Sequence, residues 1–120
     1  MAHTAYVLPP IHDRSDGSDQ QRGTKNVLAA SAKTGVKQIL YTSSTTAYGF
    51  YPDNDQPLTE DSPAGGNDDF TYAKNKKEIE AIFKEFESVY PEIAVSIVRP
   101  CFVGRAFQIP WLEKDSGRNW

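Results

Sequence analysis

The sequence predicts an α/β fold built on a parallel sheet, and three observations carry that prediction. Two short runs, Val36 to Thr42 and Ile93 to Val98, are apolar and β-branched with turn signals around them, the pattern of strands buried within a covered sheet. Two stretches with helical periodicity, Gln20 to Thr34 and Tyr72 to Tyr90, precede these runs in turn. A third strand is expected near the start, so the order is strand, helix, strand, long loop, helix, strand. Such alternation implies right-handed crossovers, with ligands beyond the carboxyl ends of the strands.

Each element has a local reason. Thr4 to Leu8 is a short β-branched and aromatic run that stops at Pro9-Pro10, and the polar stretch after it reads as a loop. Ser18 or Asp19 is placed to cap the first helix, in which Gln20, Thr24, Val27, Leu28 and Ser31 share a face. Gly35 stands where a helix C-terminal glycine belongs. Residues 43–69 are rich in Ser, Thr, Pro, Gly, Asp and Asn with no sustained period, and a connection of that length is expected to be functional or mobile. Asn67-Asp68-Asp69 offers capping side chains for the second helix, and Pro91 ends it.

That second helix is the most informative stretch. At about 100° per residue, Tyr72, Lys76, Ile79, Phe83, Phe86 and Tyr90 fall within roughly 40° of one line, while Lys74, Lys77, Glu78, Glu80, Lys84, Glu85 and Glu87 lie mostly on the other side. One cation therefore sits in an apolar stripe. An unpaired buried lysine is costly, so Lys76 either snorkels outward along its stem or serves a chemical role.

Composition narrows the classes of function. The 120 residues carry a formal net charge of −3 with no basic run, which argues against nucleic acid as a partner. No apolar run reaches the roughly 20 residues of a membrane helix, and Met1 to Thr4 lacks the features of a signal peptide, so a soluble cytoplasmic protein is expected. Cys101 is the single cysteine, expected as a buried, inert thiol, and with two histidines far from it no metal site is expected.

Three places should form the ligand rim: the loop after Leu8, the loop from Ser43 and the segment from Pro100. The stretch Thr42-Ser43-Ser44-Thr45-Thr46-Ala47-Tyr48-Gly49 brings a cluster of hydroxyls to a strand's carboxyl end, where they either bind a substrate oxygen or satisfy their own backbone. A phenol, which ordinarily gives up its proton only near pH ~10, is a poor base at neutral pH, and a neighbouring ammonium eases that loss. Tyr72 with Lys76 one turn later is thus a candidate acid/base pair, with a serine to hold the substrate oxygen.

These residues also resemble a known family. Gly23-Thr24-Lys25-Asn26-Val27-Leu28, Thr42-Ser43-Ser44 through Ala47-Tyr48-Gly49, Tyr72-x-x-x-Lys76 and Arg99-Pro100-x-x-Val103-Gly104 look like the extended short-chain dehydrogenase/reductases. Within them the resemblance is to the NAD-dependent epimerase/dehydratase group that includes UDP-glucose 4-epimerases, and it covers roughly residues 1–105. The resemblance implies a partial Rossmann fold, about three parallel strands with crossover helices, over residues 1–109; the tail over 110–120 is unmatched, and the polar, period-free run after Trp111 reads as loosely ordered. The resemblance also implies catalytic roles for Ser44, Tyr72 and Lys76, with Lys76 also bonding the nicotinamide ribose. Ala5, Ser43, Pro100 and Val103 join Tyr72 and Lys76 as residues expected at an NAD or NADP cofactor. The implied substrate is a small molecule of the nucleotide-sugar kind.

Departures from the family pattern shape the remaining expectations. The family's glycine-rich turn Gly-x-x-Gly-x-x-Gly, which holds the pyrophosphate at a helix N-terminus, does not occur, and the sequence starts at what would be the fourth strand. Gln20 stands where an asparagine is usual, and Arg105 where a proline is common. Thr45-Thr46 supplies no acidic pair of the dehydratase type. Two readings result: a catalytic-half fragment of an epimerase, dehydratase or reductase, or a truncated, inactive remnant acting at most as an interaction module. Weak or absent cofactor binding by these residues alone is expected, as is self-association or pairing with an N-terminal half through an open sheet edge.

Overall fold

A computed structural model describes residues 1–3, 17–54 and 56–101. Within them three strands, β1 (Ala2–His3), β2 (Gln38–Thr42) and β3 (Ala94–Val98), form one parallel sheet in the order β1-β2-β3. The register places Ala2 beside Leu40 and Ile39 beside Val95, so β2 is central. Two helices, α1 (Ser18–Lys33) and α2 (Thr71–Val89), pack against each other. The α/β class expected from the sequence is the class observed.

The core explains which strand face the helices cover. Ile39 and Tyr41 of β2 lie among Leu28 of α1, Ile79, Phe83 and Phe86 of α2, and Ile93, with Val95 and Ile97 packed alongside. Alternate residues of a strand point to opposite faces. Leu40 and Val98 therefore lie on the other face, where they are 37% and 44% exposed. Tyr41 and Phe83 stack with ring centroids 4.6 Å apart, joining the central strand to the middle of α2.

Helix α1 starts differently from the sequence expectation. Its N-cap is Gly17 in the left-handed region at φ 74°, and no side chain caps it; the amides of Gln20 and Gln21 bond to the Gly17 carbonyl instead. A Cβ at Gly17 would run into the side chain of the buried Asn75 on α2, so close approach of the helices excludes a capping side chain at this position. The end is as read, with Thr34 as C-cap and Gly35 beyond it at φ 71°.

The connection from 43 onward is more ordered than its composition suggests. Ser44 Oγ accepts the Thr46 amide and starts a 3-10 turn over Thr45–Tyr48. The amides of Gly65 and Gly66 return to the carbonyls of Tyr48 and Ala47, and Tyr48 donates its hydroxyl to the Thr59 carbonyl. Asn67, expected as a cap for α2, accepts the Phe50 amide at 2.7 Å, so α2 begins after Phe70 with no side-chain cap. The expected strand over Thr4 to Leu8 and the tail over 110–120 lie outside the described residues.

Candidate active site

The carboxyl ends of β2 and β3 and the first turns of α2 meet at one rim, where the sequence places its chemistry. Ser43 follows β2 directly, and its amide bonds to the Val98 carbonyl at 2.8 Å. The Thr45 amide bonds to the Pro100 carbonyl at 3.1 Å, which ties the hydroxyl-bearing loop to the segment leaving β3. Ser44 is half-buried there. As the Thr46 amide uses only a lone pair of its Oγ, the Ser44 proton remains for a further acceptor.

Lys76 does not snorkel. It is 4% exposed, and its Nζ donates to the Thr42 carbonyl at 3.0 Å and the Tyr41 hydroxyl at 3.3 Å. The ammonium also lies 5.1 Å from the Tyr41 ring centroid and 5.6 Å from that of Tyr72. Burial pushes the Lys76 ammonium below its ordinary value, and the negative charge of Glu80 works in the opposite direction. The pair singled out by spacing is thus an ammonium beside a half-buried phenol, one turn apart on α2.

Tyr72 opens a row of rings toward solvent. Phe70 stands 6.1 Å from it, and Phe50 6.2 Å from Phe70, both exposed. On the inner side His3 lies 5.9 Å from the Tyr41 ring, and its Nε2 approaches Thr24 Oγ1 at 3.3 Å. Thr24 spends its own proton on the Gln20 carbonyl, so the imidazole is the donor in that bond. Burial first, then the Lys76 charge, holds the His3 imidazole below its ordinary value of 6.5.

The structure corrects two sequence readings and adds to a third. Glu80, assigned mostly to the polar side of α2, is 1% exposed; it takes Arg99 Nη2 at 2.7 Å and Nε at 3.0 Å. It lies about 80° from the line of the apolar stripe, at an edge that the helix wraps into the core, which periodicity alone undervalues. Cys101 is exposed, because it stands past the end of β3 at the rim and not within the sheet. Ser43 is buried as a rim residue, and its hydroxyl donates to Glu80 Oε1 at 2.6 Å. Arg99 stacks over Tyr48 at 4.4 Å, and the Glu80 hydrogen bond raises its affinity for its proton still further. Pro100 is exposed at the rim, while Ala5 and Val103 lie outside the described residues.

The three-stranded parallel sheet with helices crossing on it is part of a Rossmann-type fold. Two solved structures share it at a TM-score of 0.64 each. The UDP-Glc/GlcNAc 4-epimerase of Campylobacter jejuni is 20% identical and matches 82% of this chain and 30% of its own. A GDP-L-fucose synthetase from Naegleria fowleri bound to NADP is 18% identical, with 83% of this chain and 33% of its own matched.

The family follows from sequence. The pattern of the NAD dependent epimerase/dehydratase family matches residues 12–104, and the chain belongs to that family. It is 38% identical over 87 residues to the N-acetyl-alpha-D-glucosaminyl-diphospho-ditrans,octacis-undecaprenol 4-epimerase of Escherichia coli O157:H7, a match over 68% of this chain and 24% of that protein. It is 35% identical over 77 residues to the UDP-glucose 4-epimerase of Bacillus subtilis (strain 168), over 64% of this chain and 22% of that protein. The chain therefore spans about a quarter of the curated relatives it matches. Among the described residues no helix is long and apolar enough to cross a membrane.

Proposed function

We propose that these residues form the catalytic half of an NAD(P)-dependent epimerase/dehydratase-type oxidoreductase acting at a hydroxyl or carbonyl of a nucleotide-sugar or similar substrate. The observation that carries this reading is the Lys76 ammonium, buried at the carboxyl rim of a parallel sheet and 5.6 Å from the Tyr72 ring. Two of the relatives are 4-epimerases, one named for a nucleotide-sugar and the other for a polyprenyl diphospho-sugar, which supports the substrate class.

The residues fit one end of a dinucleotide. A phenol, an ammonium and a serine hydroxyl are the donors that ribose hydroxyls and a reacting oxygen require, and the Pro100 segment borders them. These residues belong to the nicotinamide end; a pyrophosphate is held elsewhere in the family by a glycine-rich turn, and no Gly-x-x-Gly-x-x-Gly occurs in these 120 residues. When bound, the nicotinamide accepts or returns a hydride at the substrate carbon.

The chain's own side chains handle the proton. Ser44 donates its remaining hydrogen to the substrate oxygen and orients it. Tyr72 takes the proton from that oxygen as the carbonyl forms, and gives it back in the reverse step. Lys76, fixed by Thr42 and Tyr41, supplies positive charge beside the phenol as its proton moves and donates to the ribose. Rim burial strengthens each of these interactions relative to water.

The test supplies the missing pyrophosphate turn. Mixed with a fragment of a relative that carries the glycine-rich half, the chain is expected to bind NADH saturably, as read by nicotinamide fluorescence. Lys76→Ala should weaken that binding at least about tenfold, and Tyr72→Phe should weaken it less while lowering turnover of a UDP-sugar by about 100-fold or more. Binding and turnover indifferent to both changes would reject the reading.

A further inference from the structure

The sequence pattern leaves a buried carboxylate unexplained. Glu80 sits one turn beyond Lys76 on α2 and takes three side-chain donors, Ser43 Oγ at 2.6 Å, Arg99 Nη2 at 2.7 Å and Arg99 Nε at 3.0 Å. Each of those donors belongs to a strand end. Ser43 follows Thr42, whose carbonyl receives Lys76, and Arg99 precedes Pro100, whose carbonyl receives the amide of Thr45 next to Ser44. One carboxylate thus joins the two segments that hold Lys76 and carry Ser44, two of the three candidate catalytic side chains.

We propose that Glu80 is a positioning residue for the Tyr72–Lys76 pair: it clasps Ser43 to Arg99, fixes the Thr42 carbonyl that holds the ammonium, and keeps a negative charge one turn from Lys76. The relevance to chemistry rests on the proposed role of Tyr72 and Lys76, whereas the clasp itself does not.

Charge and packing favour this over a simple strap. Among the described residues, the groups facing Lys76 include Tyr41 on β2, Tyr72 and Glu80 on α2, and His3 across on β1; those facing Glu80 include Ser43, Arg99 and, stacked on the guanidinium, Tyr48. Arg99 holds the carboxylate with a two-pronged bond, and the same negative charge acts through space on Lys76. Lys76 has the Thr42 carbonyl and the Tyr41 hydroxyl among its partners, and the field of Glu80 opposes the effect of its burial. An aspartate at this position would be one methylene short of a three-donor clasp. A glutamine would keep the shape but remove the charge.

The experiment reads the Lys76 ammonium directly by carbon-13 NMR of the lysine ε carbon in the purified chain, with Lys76→Met used to assign the signal. In Glu80→Gln, with the rest of the spectrum retained, the proton affinity of Lys76 is expected to fall at least about threefold. Hydrogen exchange at the amides of Ser43 and Thr45 should speed up about tenfold. An unchanged Lys76 titration in a folded Glu80→Gln chain would overturn the proposal. If that variant does not fold, Ser43→Ala decides, because it unties Glu80 from β2 without exposing a charge. Faster exchange at the Ser43 and Thr45 amides is then expected, and exchange equal to wild type would overturn the clasp. None of these readings depends on turnover, so a failure of the catalytic assignment and a failure of the clasp are separable.

Discussion

His3 shows how a single side chain reports the electrostatics of the rim. It lies between Thr24, to which Nε2 donates, and the Tyr41 ring, and burial with the Lys76 charge keeps its proton affinity below the ordinary value of 6.5. The unfolded chain then binds a proton that the folded chain resists, so stability falls as pH drops below about 6.5 and levels off below the lowered folded value. Urea unfolding midpoints are expected to decline between about pH 7.5 and 5, with a smaller decline in His3→Gln. Identical slopes for the two proteins would remove His3 as the cause. The same residue illustrates a limit of sequence reading, because in the sequence His3 is legible only as a neighbour of a strand end. Its partners Thr24, Tyr41 and Lys76 are far away along the chain, and only the sheet register brings them together.

Helix α2 organises both the core and the site, and much of it is readable from sequence. The stripe from Tyr72 through Lys76, Ile79, Phe83 and Phe86 does face the sheet, since a 3.6-residue period is fixed by backbone geometry and needs no tertiary knowledge. What periodicity cannot supply is the width of the buried arc. Ala73, Asn75 and Glu80 flank the stripe and are buried: Asn75 lies against Gly17 at the start of α1, Glu80 bonds Arg99 past the end of β3, and the Ala73 carbonyl lies by Gly66, so their burial is a property of packing partners. The caps escape sequence reading for a related reason: Ser18, Asp19 and Asn67 have the chemistry of caps, but helix approach at Gly17 and the Phe50 amide at Asn67 settle where the backbone turns. That approach yields a prediction. Gly17→Ala places a methyl in the left-handed region against Asn75, and should cost about 1–3 kcal/mol, read as a lower urea midpoint at constant slope. Asn75→Ala in the same background should recover part of that loss by clearing the collision, and no recovery would place the cost in the backbone alone.

At the largest scale, both helices of the described residues cover one face of the sheet. With consecutive parallel strands in the order β1-β2-β3, right-handed crossovers put both connections on that same side. The opposite face presents Leu40 and Val98, with Ala94 and Ser96 beside them, all exposed. Parallel sheets are ordinarily covered on both faces, because their strands are apolar on both. Among the described residues β1 also pairs on one side only, which leaves backbone donors and acceptors along its outer edge. An open face next to an open edge favours association with another copy, and a net charge of −3 over 120 residues opposes it only weakly. The chain is therefore expected to show a rising apparent mass by light scattering between about 10 and 300 μM, a range in which weak interfaces become populated. Leu40→Lys, which places a charge at the centre of that face without touching the core beneath Ile39 and Tyr41, should return the mass to that of a monomer. A constant monomer mass in the unaltered chain across this range would show that the bare face is not adhesive.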